Sequence, residues 1–193
     1  MVNTFVERLC KRYDIPQADI LELITRMSPK AYKKGDCIVE NGKCNTDFYI
    51  IANGIWRASY INDNGDDVTL WFASQGECLF SSWGFVADRR SMLKIEAMSE
   101  SLLYSISKEN LESFYMSSVN AARIGRRLLE RQIFELDTWL MNSGAPRAKE
   151  RYLTLLEDNP ELLQHVPLKY IASYLWITPQ SLSRIRAEIA HHK

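Results

Sequence analysis

Five polar side chains fall on one face of a helix predicted to follow Thr178: Gln180, Ser181, Ser183, Arg184 and Arg186. Gln can form two hydrogen bonds with the edge of adenine and Arg two with guanine, while Ser can reach a phosphate or a base. Leu182 and Ile185 lie on the opposite, apolar side of the same helix. The pattern predicts a helix that presents hydrogen-bonding groups to DNA.

The local charge agrees with this prediction. Residues 165–193 contain four basic side chains and a single acidic one, Glu188, although the 24 basic and 24 acidic residues of the whole chain cancel. Local charge matters more for nucleic-acid binding than the total. Lys169 is expected to contact phosphate, and Thr178 is also among the predicted DNA-binding residues. The alternative is an ordinary helical hairpin with a polar face.

A second helix must position the first. Residues 167–175 are predicted to form it, with Ala172 small enough to let the two helices cross closely. Thr178 is a good N-cap, and Pro179 suits the first position of the helix that follows. The segment is therefore predicted to be a helix-turn-helix.

Catalytic and metal-binding chemistry has little support in the rest of the chain. All three histidines lie in the last 29 residues, and no nucleophile-elbow, P-loop or dinucleotide-binding motif is present. None of the four cysteines forms a C-x-x-C pair, and reduced thiols are expected. We therefore predict no catalytic residue, no metal site and no cofactor.

Residues 28–107 alternate short apolar runs with turn signals such as Asn53-Gly54 and Asn62-Asp63-Asn64-Gly65. Many short strands at this spacing predict an antiparallel sandwich or barrel. Two short helices are predicted before it, over residues 3–27.

Residues 108–143 return to a helical pattern, and apolar side chains recur there at heptad spacing. The stripe predicts a dimerisation helix, with packing of the helix against its own β-domain as the alternative. The predicted interface residues are Ala122, Leu129, Ile133, Leu136 and Leu140.

Three regions result: a β-rich domain at 1–117, a dimerisation helix and linker at 118–143, and a helix-turn-helix domain at 144–193. The fold class is α+β, an antiparallel sandwich or barrel with flanking helices followed by an all-α domain. No secretory signal or apolar run of about 18 residues is visible, so a cytoplasmic protein without membrane contact is expected.

The segment Ile171-Ala172-x-x-Leu175-x-Ile177-Thr178-x-x-Ser181-Leu182-Ser183-Arg184 resembles the helix-turn-helix of Crp/Fnr transcription regulators. Three features depart from that pattern, one of which is Pro179 in place of a polar residue that often reads bases. Trp176 occupies a turn position that is usually Gly, which predicts a reshaped turn because Trp is strained at positive φ. The chain also stops soon after the predicted recognition helix, so a full β-hairpin wing is expected to be missing.

Residues 28–107 resemble the cyclic-nucleotide-binding β-roll through Tyr32-x-x-Gly35-Asp36, the strand at 47–54 and the turn Gln75-Gly76-Glu77. In that family a Gly-Glu pair holds the ribose and an Arg-Ser pair the phosphate. Phe80-Ser81 replaces the first pair. The phosphate end can be supplied by Arg90-Ser91 or, with a shift of one residue, by Arg89.

The resemblance therefore implies that residues 1–117 form a cyclic-nucleotide-binding-like sensor domain for a small effector, anionic if the arginines bind it, and not for cyclic AMP. A domain without any effector is the alternative. Core packing is the alternative role for the aromatic side chains. The predicted effector-binding residues are Trp71, Phe80, Ser81, Ser82, Trp83, Arg89, Arg90 and Ser91.

Together these features predict an effector-sensing, homodimeric regulator that binds double-stranded DNA. A ligand-binding module that regulates a protein partner, with a degenerate DNA-binding domain, is the alternative. A small β-barrel enzyme is the least favoured function, because ligand and nucleophile motifs are missing.

Overall fold

The computed structural model describes residues 2–143 and 148–191. Two helices, α1 (Val2–Tyr13) and α2 (Gln17–Thr25), precede the strands. Eight strands follow: β1 (Ser28–Tyr32), β2 (Cys37–Val39), β3 (Phe48–Asn53), β4 (Trp56–Ile61), β5 (Asp67–Ala73), β6 (Cys78–Leu79), β7 (Lys94–Ala97) and β8 (Ser101–Ile106).

The remaining elements are helical. A short π-helix (Ser82–Val86) lies between β6 and β7. The helices after β8 are α3 (Lys108–Tyr115), α4 (Val119–Ser143), α5 (Ala148–Asp158), α6 (Leu162–His165), α7 (Leu168–Tyr174) and α8 (Pro179–His191). The predicted domain boundary at residue 144 lies outside the described residues.

The strands form two four-stranded sheets, in the orders β1-β8-β3-β6 and β2-β7-β4-β5, and their neighbours pair antiparallel. Side chains alternate between the two faces of each strand. On β3, Tyr49 and Ile51 face the roll interior, while Phe48 and Ile50 face the layer of helices. The predicted antiparallel sandwich is confirmed.

Three apolar clusters organise the molecule. One fills the roll between the sheets, and a second lies between the first sheet and helices α1 to α4. The third is the core of the C-terminal helices, and it includes Ile55, just before β4, and Met98, just after β7. The helix-turn-helix unit is therefore packed directly on the sensor domain.

A partly buried charge cluster fixes α4 against the sensor. The guanidinium of Arg12, on α1, forms ion pairs with Glu77, before β6, and with Glu135, on α4. Burial raises the pKa of the Glu77 carboxyl, although Arg12 acts in the opposite direction. The middle of α4 is thus tied to the roll by charge as well as by apolar contacts.

Candidate DNA interface and effector site

The turn between α7 and α8 has the geometry of a helix C-cap. The backbone N–H of Ile177 donates to the Ala172 carbonyl at 3.0 Å, and that of Trp176 donates to the Ser173 carbonyl at 3.0 Å. These are the two hydrogen bonds of a Schellman motif, with Trp176 at the position that usually holds Gly. Trp176 has φ 56°, so the prediction that Trp would reshape the turn is wrong.

The predicted N-cap of α8 is confirmed. Thr178 Oγ1 accepts a hydrogen bond from the Ser181 backbone N–H at 3.2 Å, and α8 begins at Pro179. The hydroxyl oxygens of Thr178 and Ser181 lie 3.0 Å apart, within hydrogen-bond distance. The cap fixes the direction of the first turn of α8, and with it the predicted base-reading side chains.

The two helices cross through small and apolar side chains, as predicted. Ala172 and Leu182 are fully buried, and Ile185 packs against the same cluster. Because Ala172 carries only a methyl group, Leu182 can approach the backbone of α7 closely. The crossing therefore turns the other face of α8 outward.

That outward face carries the predicted DNA-contacting groups. Gln180, Ser183, Arg184 and Arg186 are exposed, whereas Ser181 is partly buried by its role in the cap. Lys169 is also exposed, and its ammonium nitrogen lies 4.8 Å from the centre of the Tyr170 ring. Apart from Ser181, each of these side chains is therefore exposed, and Gln180, Ser183 and Arg184 lie on the side of α8 opposite the buried Leu182.

The loop in the position of the phosphate-binding cassette is shaped by Ser81. Its hydroxyl is buried and accepts a hydrogen bond from the Gly84 backbone N–H at 3.2 Å. A Cβ on Gly84 would lie 2.0 Å from the carbonyl oxygen of Asn45, so only Gly fits there. Ser81 caps the π-helix at the place where the resemblance expects a ribose-binding carboxylate.

The aromatic residues predicted near the effector belong to different clusters. Phe80 lies with its ring centre 5.9 Å from that of Phe48 and 5.5 Å from that of Phe85, within the layer of helices. Trp71 instead packs against the interior of the roll. The core role considered for these side chains therefore describes Phe80 and Phe85 well.

The other predicted effector-binding residues of this loop differ in their exposure to solvent. Ser82, Trp83, Arg89 and Arg90 are exposed. Ser91 is buried, and its hydroxyl is bonded to the backbone N–H and carbonyl of Leu93 at 3.0 and 3.1 Å. The two arginines are accessible to an anion, whereas Ser91 holds the loop in place. Their effector-binding role stays a prediction.

The long helix α4 has two apolar faces. Ala121, Ile124 and Leu128 are buried against the sensor, so packing on the chain's own β-domain occurs. The heptad stripe faces away from it: Ala122 is exposed, and the four larger side chains are more than half exposed. Those four are Leu129, Ile133, Leu136 and Leu140.

Arg57 and Tyr170, neither of which the sequence singles out, join the sensor to the helix-turn-helix unit. The guanidinium carbon of Arg57, on β4, lies 3.6 Å from the centre of the Tyr170 ring, on α7. Arg57 stands between Trp56 and Ala58, both in the roll interior. The alternation of side chains along the strand predicts that Arg57 points to the outer face, but it does not predict a partner there.

The cysteines are free thiols, as predicted, with Cys44 exposed and Cys78 buried. Burial raises the pKa of the Cys78 thiol to about 12, although a hydrogen bond with the Tyr13 hydroxyl partly opposes this shift. Within residues 2–143 and 148–191, no group of acidic, His or Cys side chains is arranged to hold a metal ion. None of the helices in these ranges has the length and hydropathy needed to cross a membrane.

Comparisons with known proteins agree with this architecture. Residues 29–118 match the cyclic nucleotide-binding domain family. FixK2 from Bradyrhizobium japonicum superposes with a TM-score of 0.70 at 18% identity, over 86% of this chain and 85% of that one.

Two further solved structures also align with most of this chain and over most of their own length. The c-di-GMP responsive global regulator CLP of Xanthomonas campestris gives a TM-score of 0.69 at 15% identity, over 92% of this chain and 93% of that one. A transcriptional regulator of the CRP family from Thermus thermophilus gives 0.66 at 19% identity, over 84% and 85%.

Residues 29–118 thus match the cyclic nucleotide-binding domain family, and the chain has the fold of these regulators. The fold expected from the Crp/Fnr resemblance is confirmed.

Proposed function

We propose that this protein is a transcription regulator that binds double-stranded DNA through α8 as a homodimer. The observation that carries the proposal is the exposed face of α8, where Gln180, Ser183, Arg184 and Arg186 stand next to a correctly capped turn. Arg184 reads a base, while Lys169 contacts phosphate. A function in gene regulation places the protein in the cytoplasm.

The homodimer forms through the outward stripe of α4. Leu129 is 57% exposed and Leu136 55%, although both belong to an apolar heptad pattern of the kind that packs against a second helix. A twofold-symmetric pair would present two α8 helices to half-sites about one turn of DNA apart.

The sensor domain binds a small anionic effector other than cyclic AMP. Arg89 and Arg90 supply the positive charge, and Ser81 leaves the site without the carboxylate that a ribose requires. Regulation of a protein partner by a chain with a degenerate DNA-binding domain is the alternative. Of its two arguments, Trp176 is weakened because the Schellman turn is intact, whereas the expected lack of a full wing still counts for it.

The experiment is selection of bound sequences from a random duplex library with the full-length protein. Fluorescence anisotropy then compares the selected duplex with a shuffled duplex over a series of salt concentrations. Tighter binding to the selected duplex by about a thousandfold, with an affinity that falls steeply as salt rises, supports the proposal. Equal, salt-insensitive affinity for the two duplexes contradicts it.

A further inference from the structure

Arg57 is a fully buried cation on the outer face of the second sheet. Its Nη1 lies 2.9 Å from Glu96 Oε1 and 3.1 Å from Asp67 Oδ2, and its Nε donates to Thr69 Oγ1 at 2.9 Å. A guanidinium keeps its charge under all ordinary conditions, so burying it requires partners of this kind. These partners come from β5 and β7, on either side of β4.

The helix-turn-helix unit covers the remaining face of this cation. The ring of Tyr170 lies over the guanidinium, with its centre 3.6 Å from the Arg57 Cζ atom. A planar guanidinium stacks well on an aromatic ring, and the attraction is stronger where water is excluded. The contact therefore has both a preferred geometry and a substantial energy.

Two further contacts hold α7 in the same place. Ser173 Oγ accepts a hydrogen bond from the Thr69 backbone N–H at 2.9 Å and donates to the Asp67 carbonyl at 3.3 Å. β5 is an edge strand of its sheet, so Ser173 satisfies backbone groups that no neighbouring strand reaches. The rings of Phe72 and Tyr174 also meet, with centres 5.6 Å apart.

We propose that Arg57 and Tyr170 form an interdomain latch that sets the position of the helix-turn-helix unit on the sensor domain. On the inner side of the same strands, Trp56, Ala58 and Trp71 face the roll interior. One layer of backbone therefore separates the interior of the sensor from the latch. A displacement of β4 or β5 from inside moves Arg57 and changes its stacking on Tyr170.

The existence of the latch depends only on the domain contact, whereas its use in regulating DNA binding rests on the proposed function. The two claims are measured separately. Arg57→Ala alone is a poor test, because it leaves Glu96 buried without its guanidinium and can unfold the sensor. The decisive variants therefore change Tyr170, the partner of Arg57 on α7.

The experiment is amide hydrogen exchange on the full chain, comparing Tyr170→Ala with Tyr170→Phe. The readout is the Thr69 amide, which lies on the sensor and is bonded to Ser173 across the contact. We expect Tyr170→Ala to accelerate its exchange by at least about tenfold, and Tyr170→Phe, which keeps the ring, to leave it near the wild-type rate. Exchange at Ile50, in the centre of the first sheet, stays unchanged in both variants and shows that the roll is folded.

Arg57→Lys completes a double-mutant cycle, since Lys keeps the charge but cannot stack as a plane. It accelerates Thr69 exchange in the wild-type background and has a smaller effect in the Tyr170→Ala background, where only its direct hydrogen bond to the Thr69 hydroxyl is lost. Thr69 exchange within about twofold of wild type in Tyr170→Ala would overturn the latch.

The same variants are then titrated with the selected duplex. A changed affinity in Tyr170→Ala but not in Tyr170→Phe assigns the latch a role in regulation, and equal affinities remove that role. If the wild type binds no DNA while Thr69 exchange still responds, the proposed function fails and the latch stands.

Discussion

The backbone N–H of Ile177 donates to the carbonyl oxygen of Ala172 at 3.0 Å, across a turn whose central residue is Trp176. The bond shows that the turn keeps its left-handed geometry with a large side chain where Gly is usual. The indole is 52% exposed, so it escapes a steric clash by pointing away from the core. The backbone conformation, however, stays unfavourable for an L-residue.

Trp176→Gly should therefore stabilise the protein. Left-handed geometry costs a non-Gly residue about 1–2 kcal/mol, and the greater freedom of Gly in the unfolded chain offsets about 0.4–1 kcal/mol of that. We expect a net gain of about 0.5–1 kcal/mol in the free energy of unfolding, measured by urea titration. Trp176→Ala is the control, since it removes the indole but keeps the Cβ. An equal gain in both variants would locate the effect in the side chain rather than in the backbone.

The dimer prediction concerns the outward stripe of α4. Leu129→Glu and Leu136→Glu each place a charge in the proposed interface, where it would be buried without a partner. Both variants should sediment as monomers at concentrations where the wild type is a dimer. Thr138→Glu adds the same charge on an exposed position of α4 outside the stripe and should leave the dimer intact. Dimers of unchanged mass in both leucine variants would show that the interface lies elsewhere.

The effector prediction is that cyclic AMP binds weakly. Loss of a charge-assisted hydrogen bond costs roughly 1.5–3 kcal/mol, which weakens binding by about one to two decades. Calorimetry with cyclic AMP and cyclic GMP should therefore give no dissociation constant in the micromolar range or tighter. A micromolar value for either nucleotide would mean that the loop offers another carboxylate to the ribose. For other small anions, Arg89→Ala and Arg90→Ala identify the side chain that supplies the charge.

The buried thiol of Cys78 predicts a loss of stability in alkaline solution. Its folded pKa, about 12, lies above the value of 9.0 expected when the thiol is exposed. The folded state therefore holds this proton more tightly, and its contribution is fully present below pH 9.0 and is lost as the pH rises towards 12. Urea titrations between about pH 8 and about pH 10 should show a smaller decline in Cys78→Ala than in the wild type. Parallel declines would show that other groups, such as the buried tyrosines, account for the effect.

The sequence predicted most of the architecture because local patterns determine it. Thr178 and Pro179 marked the start of α8, and Ala172 marked the crossing of the helices, since capping and close packing each demand particular residue types. The heptad stripe likewise located the outward face of α4. These features depend on residues that are close together in the chain.

The features that escaped prediction depend on contacts between distant segments. The stacking of Arg57 on Tyr170 exists only because two domains meet there, and no local pattern encodes that meeting. The π-helix after Ser81 depends on the approach of Gly84 to Asn45. The sequence predicted that Trp176 would be strained in the turn, but not that the turn would keep its usual geometry. Two backbone hydrogen bonds hold that geometry in spite of the strain.

The central claim is that α8 reads DNA bases, and the comparison of Arg184→Ala with Lys169→Ala tests it most directly. Both side chains are exposed and carry one positive charge, but only Arg184 lies on α8. Arg184→Ala should cost roughly 1–3 kcal/mol on the selected duplex and much less on a shuffled one, while Lys169→Ala should weaken both alike. The measurement is the ratio of the two dissociation constants at one fixed salt concentration. If this ratio is the same in Arg184→Ala as in the wild type, Arg184 does not read a base and the central claim is wrong.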